Sequence, residues 1–141
     1  MKRSLSLTFT AILILCAMIV NGCGGSSDPG QSPVSQITPT EISADDLHAA
    51  YNENEIAADK RYKTHVLAVS GIIQTIGKDV FNRPFVILRS KNSPTAVQCF
   101  FNGADQTDAL AALKSGQQVR IRGRCSGKML GTVVVNECLT P

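Results

Sequence analysis

The sequence predicts a domain that is mainly β with some α: a five-stranded Greek-key barrel with one helix ahead of the first strand and another between strands three and four. Three observations carry this. Residues 64–76, THVLAVSGIIQTI, are apolar-rich and longer than the average strand of about five to six residues. Gly71 near the middle of that run marks a bulge or a tight bend, which lets one strand serve both sides of a small barrel. Four shorter runs with strand composition follow, and they are split three and two by a helix-forming stretch at residues 105–113, DQTDALAAL.

The chain opens on a targeting segment. Lys2 and Arg3 form a positive start, residues 5–20 are apolar, and Val20-Asn21-Gly22-Cys23 closes the run. The apolar stretch is short for a spanning helix, which needs about 20 residues. The segment resembles the signal of bacterial lipoproteins. That resemblance implies cleavage after residue 22 and acylation of Cys23, so that the chain reaches the membrane through a lipid anchor in the cell envelope. Gly24 stands where an aspartate would hold such a protein at the inner membrane, which implies the outer membrane in a Gram-negative source. Residues 23–42 are rich in Gly, Ser, Pro, Gln and Thr and read as a flexible tether. Residues 43–141 are the folded domain.

The formal charge of +3 includes the signal; removing Lys2 and Arg3 from the 14 basic residues leaves 12 against 11 acidic, a net of +1. The positive charge lies late, with nine basic and four acidic residues from position 64 onward. A modestly basic barrel is compatible with an anionic ligand.

Each element has a local reason. Ser43 before Ala44-Asp45-Asp46 is an N-cap with two carboxylates in the first turn, and Leu47, Ala50, Tyr51, Asn54 and Ala58 follow at helical spacing, predicting one helix from 44 to about 59. Strand one has two largely apolar faces and so is covered on both sides. Residues 77–84 form a loop, 85–89 strand two, and 91–94 a turn. Strand three, 95–101, alternates: Val97, Cys99 and Phe101 on one face, Gln98 and Phe100 on the other. The second helix stops at Lys114-Ser115-Gly116. Strand four, 118–125, puts Val119, Ile121 and Gly123 inward and Arg120, Arg122 and Arg124 outward, and strand five is 132–139.

That order is the order of the OB-fold, the five-stranded Greek-key barrel. The stretches LHAAYNENEIAADKRYK, VSGIIQTIGKD, VQCFF, LKSGQQVRIRGRCSG and VVVNECL also resemble the tRNA_anti-like family of bacterial lipoproteins and secreted proteins. The resemblance covers about residues 47–139 and implies an OB-fold that binds single-stranded nucleic acid or another polyanion. OB domains bind across strands two and three and the two flanking loops. Mapped here, the candidate contacts are Lys78, Phe81 and Arg83 from the first loop, Gln98 and Phe100 from strand three, alternate residues of strand two such as Phe85 or Arg89, and Lys128 and Met129 from the last hairpin. Phenylalanines stack bases and cations hold phosphates. The competing reading makes Phe85, Phe100 and Phe101 barrel core. Arg120, Arg122 and Arg124 form a basic stripe, read either as a polyanion surface or as a solvated strand edge.

Cys99, Cys125 and Cys138 remain once Cys16 and Cys23 are assigned to the signal and lipid site. Strands three and five are parallel neighbours in an OB barrel, so a Cys99–Cys138 disulfide is expected, with Cys125–Cys138 as the alternative pair. The three have no zinc-ligand spacing, and His48 and His65 have no nucleophile partner near them in sequence. Neither a Walker loop nor GxSxG nor HExxH occurs, so the domain is read as non-enzymatic, with no cofactor and no metal. The alternative to a ligand-binding module is an envelope lipoprotein that docks a protein partner.

Overall fold

The computed structural model describes residues 33–103 and 106–140. The signal segment, Cys23 and the first part of the tether lie outside the described residues. After a short 3-10 turn, Val34–Gln36, come β1 (Thr40–Ser43), α1 (Ala44–Glu53), α2 (Glu55–Tyr62), β2 (Val66–Lys78), β3 (Pro84–Ser90), β4 (Ser93–Phe101), α3 (Gln106–Ala111), β5 (Gln118–Met129) and β6 (Thr132–Leu139). The domain is thus mainly β with few helices.

The strands form one six-stranded sheet in the order β1-β2-β3-β4-β6-β5, and β2 also pairs with β5. Five strands therefore neighbour one another in a cycle, β2-β3-β4-β6-β5 and back to β2. The parallel pairing of β4 with β6 agrees with the expected neighbours, Val97 standing opposite Val133 and Cys99 opposite Val135. The sixth strand was not expected. Residues 40–42, read as the end of the tether, and Ser43, read as the helix N-cap, run parallel to β2 with Glu41 opposite Ala68 and Ser43 opposite Ser70.

Strand β2 organises the sheet by changing partners along its length. Residues 66–72 pair with β5, and residues 72–78 pair with β3. Gly71 sits at the changeover, where a Cβ would stand 3.0 Å from Ala44 Cβ and 3.2 Å from Leu88 Cβ. The start of α1 can approach the strand because that side chain is absent. The irregularity in pairing lies just beyond, between Ile73 and Thr75.

The expected single helix is two. Asn54 leaves helical geometry at φ −156°, ψ 98°, and its side chain accepts a hydrogen bond from Ala57 N at 3.0 Å, capping α2. Asparagine competes with the helix for backbone donors, and here it wins. Tyr51 of α1 and Asp59 of α2 rejoin across the break, the phenol donating to Oδ1 at 3.0 Å, with Cys125 Sγ of β5 at 3.5 Å from the same hydroxyl. Burial, chiefly, raises the Tyr51 phenol far above its ordinary range. The second expected helix shortens to the six residues of α3.

The core follows the predicted alternation. Val86, Leu88, Val97, Cys99, Phe101, Val119, Ile121, Val133 and Val135 point inward and are buried, and Leu47 and Tyr51 of α1 join them. Gly123 also faces in; a Cβ on it would lie 2.6 Å from both Cys138 Sγ and Val135 Cγ1. The Cys99–Cys138 disulfide is a correction: Cys99, Cys125 and Cys138 are free, buried thiols. A shift of register between Cys99 and Phe101 sets Cys138 opposite Phe101, and its thiol turns to Val135 O at 3.4 Å while hydrogen-bonding beside the Cys99 thiol. His48 is buried against Asn52 and Ser90.

Candidate functional site

The outer face of β3 and β4 carries the cluster richest in ligand-binding groups. Inward residues alternate with outward ones on both strands, so Phe85, Ile87 and Arg89 share the outer face of β3 with Gln98 and Phe100 of β4. Phe85 stands opposite Phe100 and Ile87 opposite Gln98. The two rings meet edge to face, centroids 6.1 Å apart. Only Phe101 of the three strand phenylalanines belongs to the core, as its place in the alternation requires.

The loop between β2 and β3 completes the face, and Asp79 builds it. One carboxylate oxygen accepts the backbone N–H groups of Phe81 and Arg83, both at 2.9 Å, and the other accepts Arg83 Nε at 2.8 Å. Asn82 occupies the left-handed region at φ 63°, which asparagine tolerates better than most residues. The result is a closed turn that lays the Arg83 guanidinium 4.8 Å from the centre of the Phe100 ring and 5.9 Å from that of Phe81. Burial works to raise the Asp79 carboxyl, but the hydrogen bonds from Arg83 and Phe81 and the Arg83 charge outweigh it and hold its pKa below the ordinary aspartate value.

Phe81, at 78 % exposure, presents a ring to solvent, and Lys78 beside it is exposed. A cleft of about 420 Å³ opens alongside, lined by Lys78, Asn82, Arg83, Pro84 and Asn102 among others. The face offers flat stacking surfaces, the amide of Gln98, and cations at Lys78 and Arg89. Arg83 is already paired with Asp79 and serves as a stacking plate more than as a free charge.

Lys78, Phe81, Arg83, Arg89, Gln98 and Phe100 are thus gathered on one face and its adjoining loop. Lys128 is not in that group; its Nζ donates to Asn52 Oδ1 of α1 at 2.8 Å. The arginine stripe is also committed elsewhere. Arg120 forks onto Glu41 of β1, Arg122 donates to Ile37 O, and Arg124 donates to Thr64 O at 2.9 Å and lies 3.3 Å from Glu137. These side chains hold the N-terminal segment and the strand ends in place. Asp79 and Ile87 were not selected from sequence, although an aspartate leading into Asn82-Arg83-Pro84 is a turn signature. Among the described residues, no group of three or more His, Cys, Asp or Glu side chains is placed to hold a metal ion.

The tRNA_anti-like family model matches residues 1–139 of the chain. Among solved structures, the chain is similar to a crystal structure from Klebsiella pneumoniae subsp. pneumoniae MGH 78578 named "putative nucleic acid-binding lipoprotein". The TM-score is 0.56 at 19 % identity, over 81 % of this chain and 99 % of that one, a likeness of fold. A search of curated proteins finds no match.

Proposed function

The chain belongs to the tRNA_anti-like family, and from that premise we propose that it is a lipid-anchored, extracytoplasmic OB-fold module that binds single-stranded nucleic acid or a similar polyanion across β3 and β4. We read the cycle of five strands as the OB barrel and β1 as an addition to it. Cys23 is the proposed acylation site, and the cell envelope, on the outer membrane in a Gram-negative source, is the proposed location. The name of the Klebsiella structure supports both the lipid anchor and the ligand class. The domain acts by binding, without catalysis and without a cofactor.

One observation carries the ligand reading: Phe81, Arg83, Phe100 and Phe85 form a contiguous row of ring and guanidinium contacts, and Asp79 ties its loop end, Phe81 and Arg83, in place. A stack costs little entropy to engage when it is preformed, and each base laid on an aromatic ring contributes about 1–3 kcal/mol. The test is fluorescence anisotropy with a labelled single-stranded oligonucleotide at low salt. Phe81→Ala is expected to weaken binding by roughly 5- to 150-fold. Absence of oligonucleotide binding by the wild-type chain at low salt defeats the proposal. A second reading, docking of an envelope protein, is favoured by the exposure of Val80 at 93 %, Met129 at 65 % and Leu130 at 101 %. Capture of an envelope protein that depends on those residues and not on Phe81 would decide for it.

A further inference from the structure

The loop between β2 and β3 ends in two adjacent apolar side chains that solvent surrounds, Val80 at 93 % exposure and Phe81 at 78 %. Its polar groups, by contrast, are satisfied within the turn. The backbone N–H of Asp79 donates to Arg83 O at 3.0 Å and that of Asn82 to Asp79 O at 2.9 Å, while those of Phe81 and Arg83 both donate to Asp79 Oδ1. The Asp79 carboxylate is itself paired with the Arg83 guanidinium at 2.8 Å. A tip whose donors and charge are paired internally enters an apolar medium at a much smaller desolvation cost than one with open backbone donors, and its apolar side chains gain by leaving water.

The fold places this tip at the end of the sheet where the chain enters it. Phe85 stands opposite Phe100, so the loop lies beside the close of β4, and Asn102 just beyond β4 lines the cleft that holds Lys78, Asn82 and Arg83. Pro33 and Val34 share a second cleft, of about 260 Å³, with the same Asn102 and with Cys138 and Leu139. Pro33 follows Cys23 by ten residues, and a chain of that length spans at most about 35 Å. The other exposed apolar tip, Met129 and Leu130, lies at the opposite end: Thr132 Oγ1 donates to Thr95 O, and from there to Phe101 the strand rises roughly 20 Å. We propose that Val80 and Phe81 dock in the headgroup–acyl boundary of the bilayer that holds the anchor, with the exposed Lys78 amine on lipid phosphates. This docking rests on acylation of Cys23 and is independent of the ligand proposed for β3 and β4, since Val80 takes no part in the row of ring contacts there. Phe81 is common to both, so a docked tip and an oligonucleotide draw on the same ring.

The sequence contains no tryptophan, so a single introduced indole reports its own surroundings. The chain carrying Val80→Trp, expressed as the full precursor and purified in detergent, is reconstituted into phosphatidylcholine–phosphatidylglycerol vesicles with and without acyl-brominated phosphatidylcholine. Its emission is expected to shift to shorter wavelength and to lose most of its intensity to the brominated lipid. Phe81→Trp is expected to respond in the same way. Leu130→Trp, also fully exposed but at the far end, controls for the affinity of indole for bilayer interfaces and is expected to stay unshifted and unquenched. Mass spectrometry of the same preparations reads the acyl groups. An unacylated chain overturns the anchor and the docking with it. On an acylated chain, indoles at 80 and 81 that stay unquenched overturn the docking alone and leave the tip to a protein partner or to the oligonucleotide. Quenching at 130 equal to that at 80 overturns it as well.

Discussion

At the scale of single residues, the loop before β3 depends on Asp79 more than on any group that faces solvent. Its two oxygens hold the amides of Phe81 and Arg83 and the Arg83 side chain, so the stacking plate is positioned by a carboxylate that need not touch a ligand. Asp79→Ala is therefore expected to loosen Phe81 and Arg83 and to weaken binding at the face while leaving the overall fold intact. Amide relaxation of residues 79–83 measures the loosening, and unchanged relaxation would count against it. The pH dependence has a definite sign. The folded pKa of Asp79 is lowered, so its contribution is present above the ordinary aspartate range of about 4 and is lost as pH falls through the lower folded value. Loop order should persist on mild acidification and disappear only in stronger acid. Much at this scale was legible: alternation alone separates Phe100 from Phe101 and Gly123 from Arg122 and Arg124. The partners of the arginines were not, because Arg120 and Glu41 lie 79 positions apart and meet only through the pairing of β1 and β5 with β2.

At the scale of elements, local periodicity identified the strands and misread the two places where the chain competes with itself. Leu47, Tyr51 and Ala58 are all buried, so helical spacing is real across residues 44–62, yet Asn54 divides the run and caps the second half. Asn54→Ala removes the bond to Ala57 N and is expected to cost about 1 kcal/mol of stability, within the range of other N-cap losses. A shift of the urea midpoint with an unchanged slope checks it; an unchanged midpoint would mean that the Tyr51–Asp59 contact alone sets the break. Strand β1 escaped notice for a different reason. Its sequence, Thr40-Glu41-Ile42-Ser43, has no apolar alternation to distinguish it from the polar stretch before it. What makes it a strand is the open edge of β2 beside it and the Arg120–Glu41 pair, and that exposed pair by itself is worth little.

At the scale of the whole molecule, the three domain cysteines report on global rather than local opening. Cys99 lies on β4, Cys125 on β5 and Cys138 on β6, all with 1 % exposure or less, and these strands neighbour one another through β6. Burial raises the thiol pKa of Cys125, against hydrogen bonds from Tyr51 and Gly127, and raises that of Cys138 strongly, with the Cys99 thiol adding to it. Little thiolate is therefore present on Cys125 and Cys138 at neutral pH, and a reagent can reach any of the three buried sulfurs only when the sheet opens. In a full chain with Cys16 and Cys23 replaced by serine, reaction with a disulfide reagent at neutral pH should be slow for all three. Its rate should rise with urea in step with unfolding, because exchange through a cooperative core follows the population of the open state. A thiol that reacts quickly in the native chain would show that β4–β6 opens on its own. In that case the β3–β4 face, which shares β4 with this core, would not be the rigid platform that stacking requires.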